Sequence, residues 1–267
     1  VKISTNLKAL GVATTMLTGF VLGGSVTAYA EEPESKPGVR SYDSNAMIQF
    51  EPASDITPPT NPTDPGEKDK DTGEIVKPGP ILPDGEEPKE GTPGPLSIDF
   101  ASSLNFGKQK ITSTDQIYKA AKQKFRNRTP EFGPNYVQVT DGRGSDAGWS
   151  LQVKQNKQFE STKGKELIGA EIRFTEGQVN TGSASPKPSI VKRSFALKFN
   201  EYGEGVADTI MSAKAEEGSG TYVLAFGADD NAAETIELFV PGSTTKYADK
   251  YSTSITWTLT DVPGIAE

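Results

Sequence analysis

From Leu96 onward, apolar side chains recur at every second position. Trp149, Leu151 and Val153 do so, then Ile168, Ala170, Ile172 and Phe174, then Phe195, Leu197 and Phe199. Tyr222, Leu224 and Phe226 repeat the pattern, as do Ile255, Trp257 and Leu259. Successive side chains of a strand point to opposite faces, so this period belongs to strands with one dry face. Shorter candidates lie at Leu96–Ala101, Leu104–Ile111, Tyr136–Asp141 and Ile236–Val240. Turn-forming residues separate them: Gly142, Gly144 and Gly148, Lys163-Gly164-Lys165, Glu217-Gly218-Ser219-Gly220 and Pro241-Gly242. Many short strands with such punctuation predict an all-β fold, a single antiparallel sandwich or barrel-like domain over residues 96–267. A length of about 170 residues is ample for one core.

One segment breaks the pattern. Asp115 to Phe125 reads as a helix, with Ser113 and Gln116 at capping-box spacing. It carries Lys119, Lys122 and Lys124 and is followed by Arg126 and Arg128. These five cations are either a solvated face or a contact for an anionic polymer.

The N-terminal part differs in character. Residues 31–95 hold thirteen of the 19 prolines, with fifteen acidic against six basic residues, a net charge of −9. Such a segment has little apolar area to set against chain entropy, so it is expected to be a disordered, partly polyproline II spacer. Ala46-Met47-Ile48-Gln49-Phe50 is its one apolar island, a solvated patch or a docking strand. The whole chain is at −8, so the domain after it is close to neutral. A basic field for nucleic acid is lacking. Ahead of the spacer, Lys2 and Lys8 precede an uncharged stretch from Ala9 to Val26, then Ala28-Tyr29-Ala30 and Glu31-Glu32. Small residues before acids suit signal peptidase, so residues 1–30 read as a signal peptide of a secreted protein. Gly19, Gly23 and Gly24 argue against a membrane helix there.

Cysteine and histidine are both absent. This excludes a disulfide scaffold, a lipidated cysteine, the usual zinc ligands and any Ser-His-Asp triad. The string closest to a sortase signal, Leu82-Pro83-Asp84-Gly85, sits mid-chain, so attachment at a surface is expected to be non-covalent. Asp141 to Asp146 and Asp229-Asp230-Asn231 are oxygen-rich, but their spacing is that of turns rather than of a calcium loop. No carboxylate pair stands out for glycoside hydrolysis. The expectation is therefore a protein with no enzymatic activity, no cofactor and no metal.

Both tryptophans of the chain are followed two residues later by leucine. Trp149-Ser150-Leu151 follows Asp141-Gly142-Arg143-Gly144 and Gly148. Trp257-Thr258-Leu259 lies within Tyr251-x3-Ile255-x-Trp257-x-Leu259-x3-Pro263. Leu104-Asn105-Phe106-Gly107 is a third element. Together these resemble the WxL domain of surface proteins of low-GC Gram-positive bacteria, over Leu96 to Val262. The resemblance implies non-covalent binding to the cell wall, through peptidoglycan or an associated polymer such as teichoic acid. It also implies an alternative role, as a subunit of a surface complex with other WxL proteins and a membrane-anchored WxL-interacting protein. On a strand, Trp and Leu of each pair share a face. The pairs are then either core or an exposed platform for sugar rings. The core reading is favoured for Trp149, Leu151, Trp257 and Leu259. With Tyr251, Ile255 and Pro263 around it, Trp257 is expected in a buried closing strand that Pro263 ends, and to be the more sensitive tryptophan.

Overall fold

A computed structural model describes residues 42–263. The expected signal peptide lies outside the described residues. Residues 42–48, a separate unit, carry no regular secondary structure and are exposed. The rest of the apolar island is no strand either, and Phe50 is exposed.

From residue 49 on, the chain folds as one all-β unit, and no described residue is helical. In chain order the strands are β1 (Pro80–Ile81), β2 (Leu96–Ala101), β3 (Gln116–Lys119), β4 (Gln123–Phe125), β5 (Phe132–Gly133) and β6 (Tyr136–Asp141). They continue with β7 (Trp149–Gln155), β8 (Glu160–Ser161), β9 (Glu171–Phe174), β10 (Gly177–Thr181), β11 (Ile190–Val191) and β12 (Phe195–Ala196). The last five are β13 (Asp208–Ala213), β14 (Gly220–Phe226), β15 (Ile236–Val240), β16 (Tyr251–Ser252) and β17 (Ile255–Thr260).

Two four-stranded antiparallel sheets, in the orders β10-β14-β6-β2 and β11-β13-β7-β17, share one core. Trp149, Leu151 and Met211 from one sheet join Val137, Val139, Tyr222 and Leu224 from the other. A third sheet, β12-β9-β15-β3, adds Ile172, Phe174, Ile236 and Leu238 to the same core. Burying apolar area at about 25 cal/mol per Å² makes this shared core the main stabilising term in a chain without disulfides.

Three expectations are corrected. Asp115 to Phe125 is not a helix: it forms β3, a three-residue link and β4. Pairing decides this, because β3 lies along β15 with Tyr118 opposite Leu238. Helix propensity is a weak preference beside such tertiary contacts. Lys119 suits the edge strand β3, where charge discourages further pairing, whereas Lys124 stands on β4, the middle strand of its sheet. Leu104–Ile111 contains no strand, although Leu104 and Phe106 pack on the core. Conversely, β13 is central to its sheet yet escapes the alternation rule. Its register shifts between Thr209 and Met211, so Ile210 and Met211 are both buried in succession.

The third correction concerns the proline-rich segment. From residue 58 on it is not a free spacer: residues 58–66 strap the outer face of sheet β10-β14-β6-β2, residues 67–75 form an exposed hairpin, and residues 78–92 return along β4 and β2. Thr60 and Asn61 are buried, as are Pro62, Pro65, Pro78 and Pro80. The Thr60 amide donates to Gln138 Oε1 at 2.8 Å, and Gln138 Nε2 donates to the Pro58 carbonyl at 3.1 Å. Asn180 Nδ2 holds the Pro62 carbonyl at 2.8 Å. Proline supplies apolar surface with no amide to satisfy and loses less backbone freedom on folding, which lets so polar a segment order. Beneath the strap and the small sheet β1-β4-β5 lies a second core of Phe100, Phe125, Tyr136, Val223 and Ala225.

Asp99 sits in this layer with no cation on it. Ser97 Oγ, Thr140 Oγ1 and Gln138 Nε2 donate to its carboxylate at 2.6, 2.6 and 2.9 Å. Burial nevertheless outweighs these donors and holds its pKa above the ordinary 3.8. The folded state therefore takes up this proton first as pH falls. Its contribution to stability is full below pH 3.8 and is lost as pH rises through the raised folded value. Asp99→Asn is expected to remove that component. Urea midpoints measured across this window should show wild type losing stability relative to the variant as pH rises; parallel curves would refute it.

Candidate functional site

The fold brings the two Trp-x-Leu segments together. β7 and β17 are antiparallel neighbours, with Leu259 opposite Leu151 and Trp257 opposite Val153. The leucines abut, and the tryptophans fall at opposite ends of one apolar stripe, four strand positions or roughly 13 Å apart.

The two ends are not equivalent. Trp149 and Leu151 have no solvent exposure. The indole of Trp149 packs on Tyr222 with ring centroids 6.2 Å apart, and its Nε1 donates to the Gly218 carbonyl at 2.9 Å. Gly218 has φ +77°, and a Cβ there would lie 2.7 Å from the indole nitrogen, so the turn needs glycine twice over. The Asp-x-Arg-Gly turn positions this strand. Arg143 grips the Asp141 carboxylate at 2.9 and 2.7 Å and donates from Nη2 to the Gly148 carbonyl at 2.7 Å. Trp257, Leu259 and Ile255 are half-buried against the core. β17 is an edge strand, not a buried closing strand, because β7 flanks it on one side only. Trp149 is thus the deeper tryptophan, and the expectation that Trp257 is the more sensitive one loses its premise of a buried closing strand. Tyr251 stands on β16, where its hydroxyl accepts the Tyr247 amide at 3.0 Å. Pro263 lies past the bend after Thr260 and is half-buried.

The five cations do not form one field. Lys119 pairs with Glu237 and Glu234 across β3 and β15, which raises its pKa. Lys124 pairs with Glu131 at 3.0 Å and Arg126 with Glu87 at 2.7 Å. Lys122 Nζ donates to the Asp229 carbonyl at 2.5 Å. The side chain of Arg128 is only 2% exposed and binds Asp229 with both contacts near 2.7 Å. Arg128 is therefore a structural cation, out of reach of a polymer. The same pairing, with that of Arg143, employs the loop carboxylates Asp229 and Asp141 in turns. Among the described residues no cluster of three or more acidic ligands gathers as a metal site.

Lys122 and Lys124 instead flank a groove of about 460 Å³. Leu82-Pro83-Asp84-Gly85 of the proline-rich segment, Ser103, Asn105, Gln123 and Phe132 also line it. Phe132 is 45% exposed, with Lys124 Nζ 5.9 Å from its ring centroid. The lining thus combines an exposed ring, amides and a hydroxyl with two lysines already engaged by Glu131 and the Asp229 carbonyl, and with the carboxylate of Asp84, a mixture that suits an amphipathic, hydroxyl-rich ligand. Alternation could not flag Phe132, which lies on a two-residue strand, and Leu82 to Gly85 belong to the segment read as disordered.

A family model described as WxL domain, surface cell wall-binding, matches residues 38–263. No curated protein and no solved structure matches the chain.

Proposed function

This chain belongs to the WxL family of surface cell wall-binding domains, and from that premise we propose that it is a non-catalytic module holding itself to peptidoglycan without a covalent bond. The match spans the strap as well as the sandwich, which supports a binding unit that includes the strap. We assign polymer contact to the groove at Phe132, with Lys122 and Lys124 facing anionic groups. The observation that supports this is the burial of Trp149 and Leu151, which leaves the proximal Trp-x-Leu pair no surface to offer a polymer.

The test is co-sedimentation of the purified full chain with peptidoglycan sacculi stripped of all protein. Binding is expected, and it should weaken as salt rises to about 0.5 M, several times physiological ionic strength. Phe132→Ala and the Lys122→Ala/Lys124→Ala pair should each lower retention several-fold with the melting temperature little changed. Binding indifferent to both salt and these variants would remove the groove. Retention by intact walls but not by protein-free sacculi would assign anchoring to a surface complex, through other WxL proteins or a membrane-anchored WxL-interacting protein.

A further inference from the structure

Among the described residues β17 is hydrogen-bonded as a strand on one side only, by β7, while β2 of the other sheet packs near it without pairing. Sheet edges usually carry a device that discourages further pairing. β3 carries Lys119, and Lys187 Nζ donates to the Val179 carbonyl of β10 at 2.7 Å. On β2, the Thr92 amide and hydroxyl engage the Ile98 carbonyl and amide, at 2.9 and 2.8 Å. β11 and β12 are two residues long. β17, Ile-Thr-Trp-Thr-Leu-Thr, has six residues, no charge, no proline and no register shift against β7.

Its hydrogen-bonding phase follows from one contact. The Asn156 amide donates to the Ser254 carbonyl at 2.9 Å, which makes that rung a bonded one. Bonded and non-bonded rungs alternate in an antiparallel ladder. Thr256, Thr258 and Thr260 therefore bond to β7, and Ile255, Trp257 and Leu259 turn their amides and carbonyls to the free side. No other hydrogen bond reaches those backbone groups among the described residues.

The sequence of this strand is nearly palindromic about Trp257. Thr256 and Thr258 flank it, and the aliphatic Ile255 and Leu259 flank those. We infer that β17 is a homodimerisation edge, pairing antiparallel with β17 of a second copy of this chain about a two-fold axis at Trp257. In this register Trp257 meets its counterpart, Ile255 meets Leu259, and Thr256 meets Thr258. Every free amide of these three residues then finds a carbonyl on the other copy. Apolar side chains stay on the core face and threonines on the outer face, because directly opposed residues share a face. Asp261 falls opposite Thr253, so no like charges oppose one another. A closed two-fold interface of this kind needs one patch that complements itself. A different partner strand would have no reason to be matched by this symmetry.

The chain has no cysteine, so cross-linking starts from a clean background. Thr256 and Thr258 lie on the outer face and would form a non-bonded pair between copies, with Cα atoms about 4.5 Å apart, within disulfide range. Thr256→Cys and Thr258→Cys full-length variants are made separately and mixed under mild oxidation. The expected result is a disulfide dimer that forms far faster in the mixture than in either variant alone. Sedimentation of wild type should show a concentration-dependent dimer. Thr256→Lys/Thr258→Lys, which sets lysine against lysine, should return it to monomer with an unchanged melting temperature. Wild type that stays monomeric at its solubility limit would overturn the proposal. A dimer insensitive to the lysine pair and not trapped by the mixed cysteines would also overturn it, as would a β17 edge occupied only by another protein.

Discussion

Trp149→Ala is expected to cost about 3–5 kcal/mol, the range for removing a large aromatic from a core, and to unfold a good part of the domain at 37 °C. The indole has no exposure, packs on Tyr222 and satisfies the Gly218 carbonyl. The variant loses the transfer energy, opens a cavity and leaves a buried carbonyl without its donor. Trp257→Ala should cost clearly less, about 1–2 kcal/mol, because its ring is half-buried on an edge strand and part of its area is already wet. Leu151→Ala should fall nearer Trp149, within about 2–5 kcal/mol. Urea denaturation of each variant gives these values. Fluorescence separates the indoles: Trp257→Ala leaves only Trp149, whose emission should be that of a dry environment, and Trp149→Ala leaves a redder one. Equal losses at the two positions, or a melting temperature unmoved by Trp149→Ala, would overturn the assignment of Trp149 as core. Sacculus binding should vanish in Trp149→Ala as a consequence of unfolding, and survive Trp257→Ala under conditions where that variant is folded.

Arg128→Ala is expected to be the second severe lesion, at about 3 kcal/mol, the scale for leaving a buried ion pair without one partner. Its guanidinium ties the strap to the loop that follows Arg128 and to Asp229. It holds Asp229 near 2.7 Å, donates from Nε to Asn61 Oδ1 at 2.8 Å and from Nη2 to Thr63 Oγ1 at 2.9 Å, and reaches the Pro130 carbonyl at 3.1 Å. It also lies 5.2 Å from the Phe125 ring centroid. Asp229 is a third exposed and can return to water, which limits the cost. Asn61 cannot, so the strap should loosen. Limited proteolysis should then cut within residues 58–92 in the variant and not in wild type. Arg128→Lys should rescue only in part, because an ammonium cannot reproduce the planar fork. Cleavage at the same rate in both proteins would show that Arg128 does not fasten the strap.

Much of this architecture was legible along the chain. Period-two alternation marked β2, β6, β7, β14, β15 and β17, since one dry face forces that pattern on any strand. The two Trp-x-Leu segments and the Asp141–Arg143 turn identified the family, and the family model agrees. Where alternation broke, reading failed: the shift between Thr209 and Met211 hid β13, and the capping-box spacing at Ser113 and Gln116 suggested a helix where β15 imposed a strand. In the groove, Lys122 and Lys124 were visible as cations, but Phe132 and the Leu82–Gly85 segment were not.

The sequence by itself determined which residues share a face, that the fold is all-β, and which family the chain belongs to. Facing is a property of one strand, set by its own backbone. Only the tertiary structure decided that Trp149 is central and Trp257 at an edge, because strand order is a relation between distant segments. It alone decided that the proline-rich segment is a strap, since Gln138, Asn180 and Arg128, which satisfy its polar groups, lie roughly 65 to 120 residues further along the chain. And it alone showed Arg128 buried against Asp229, because a cation's freedom depends on the acid that the fold sets beside it.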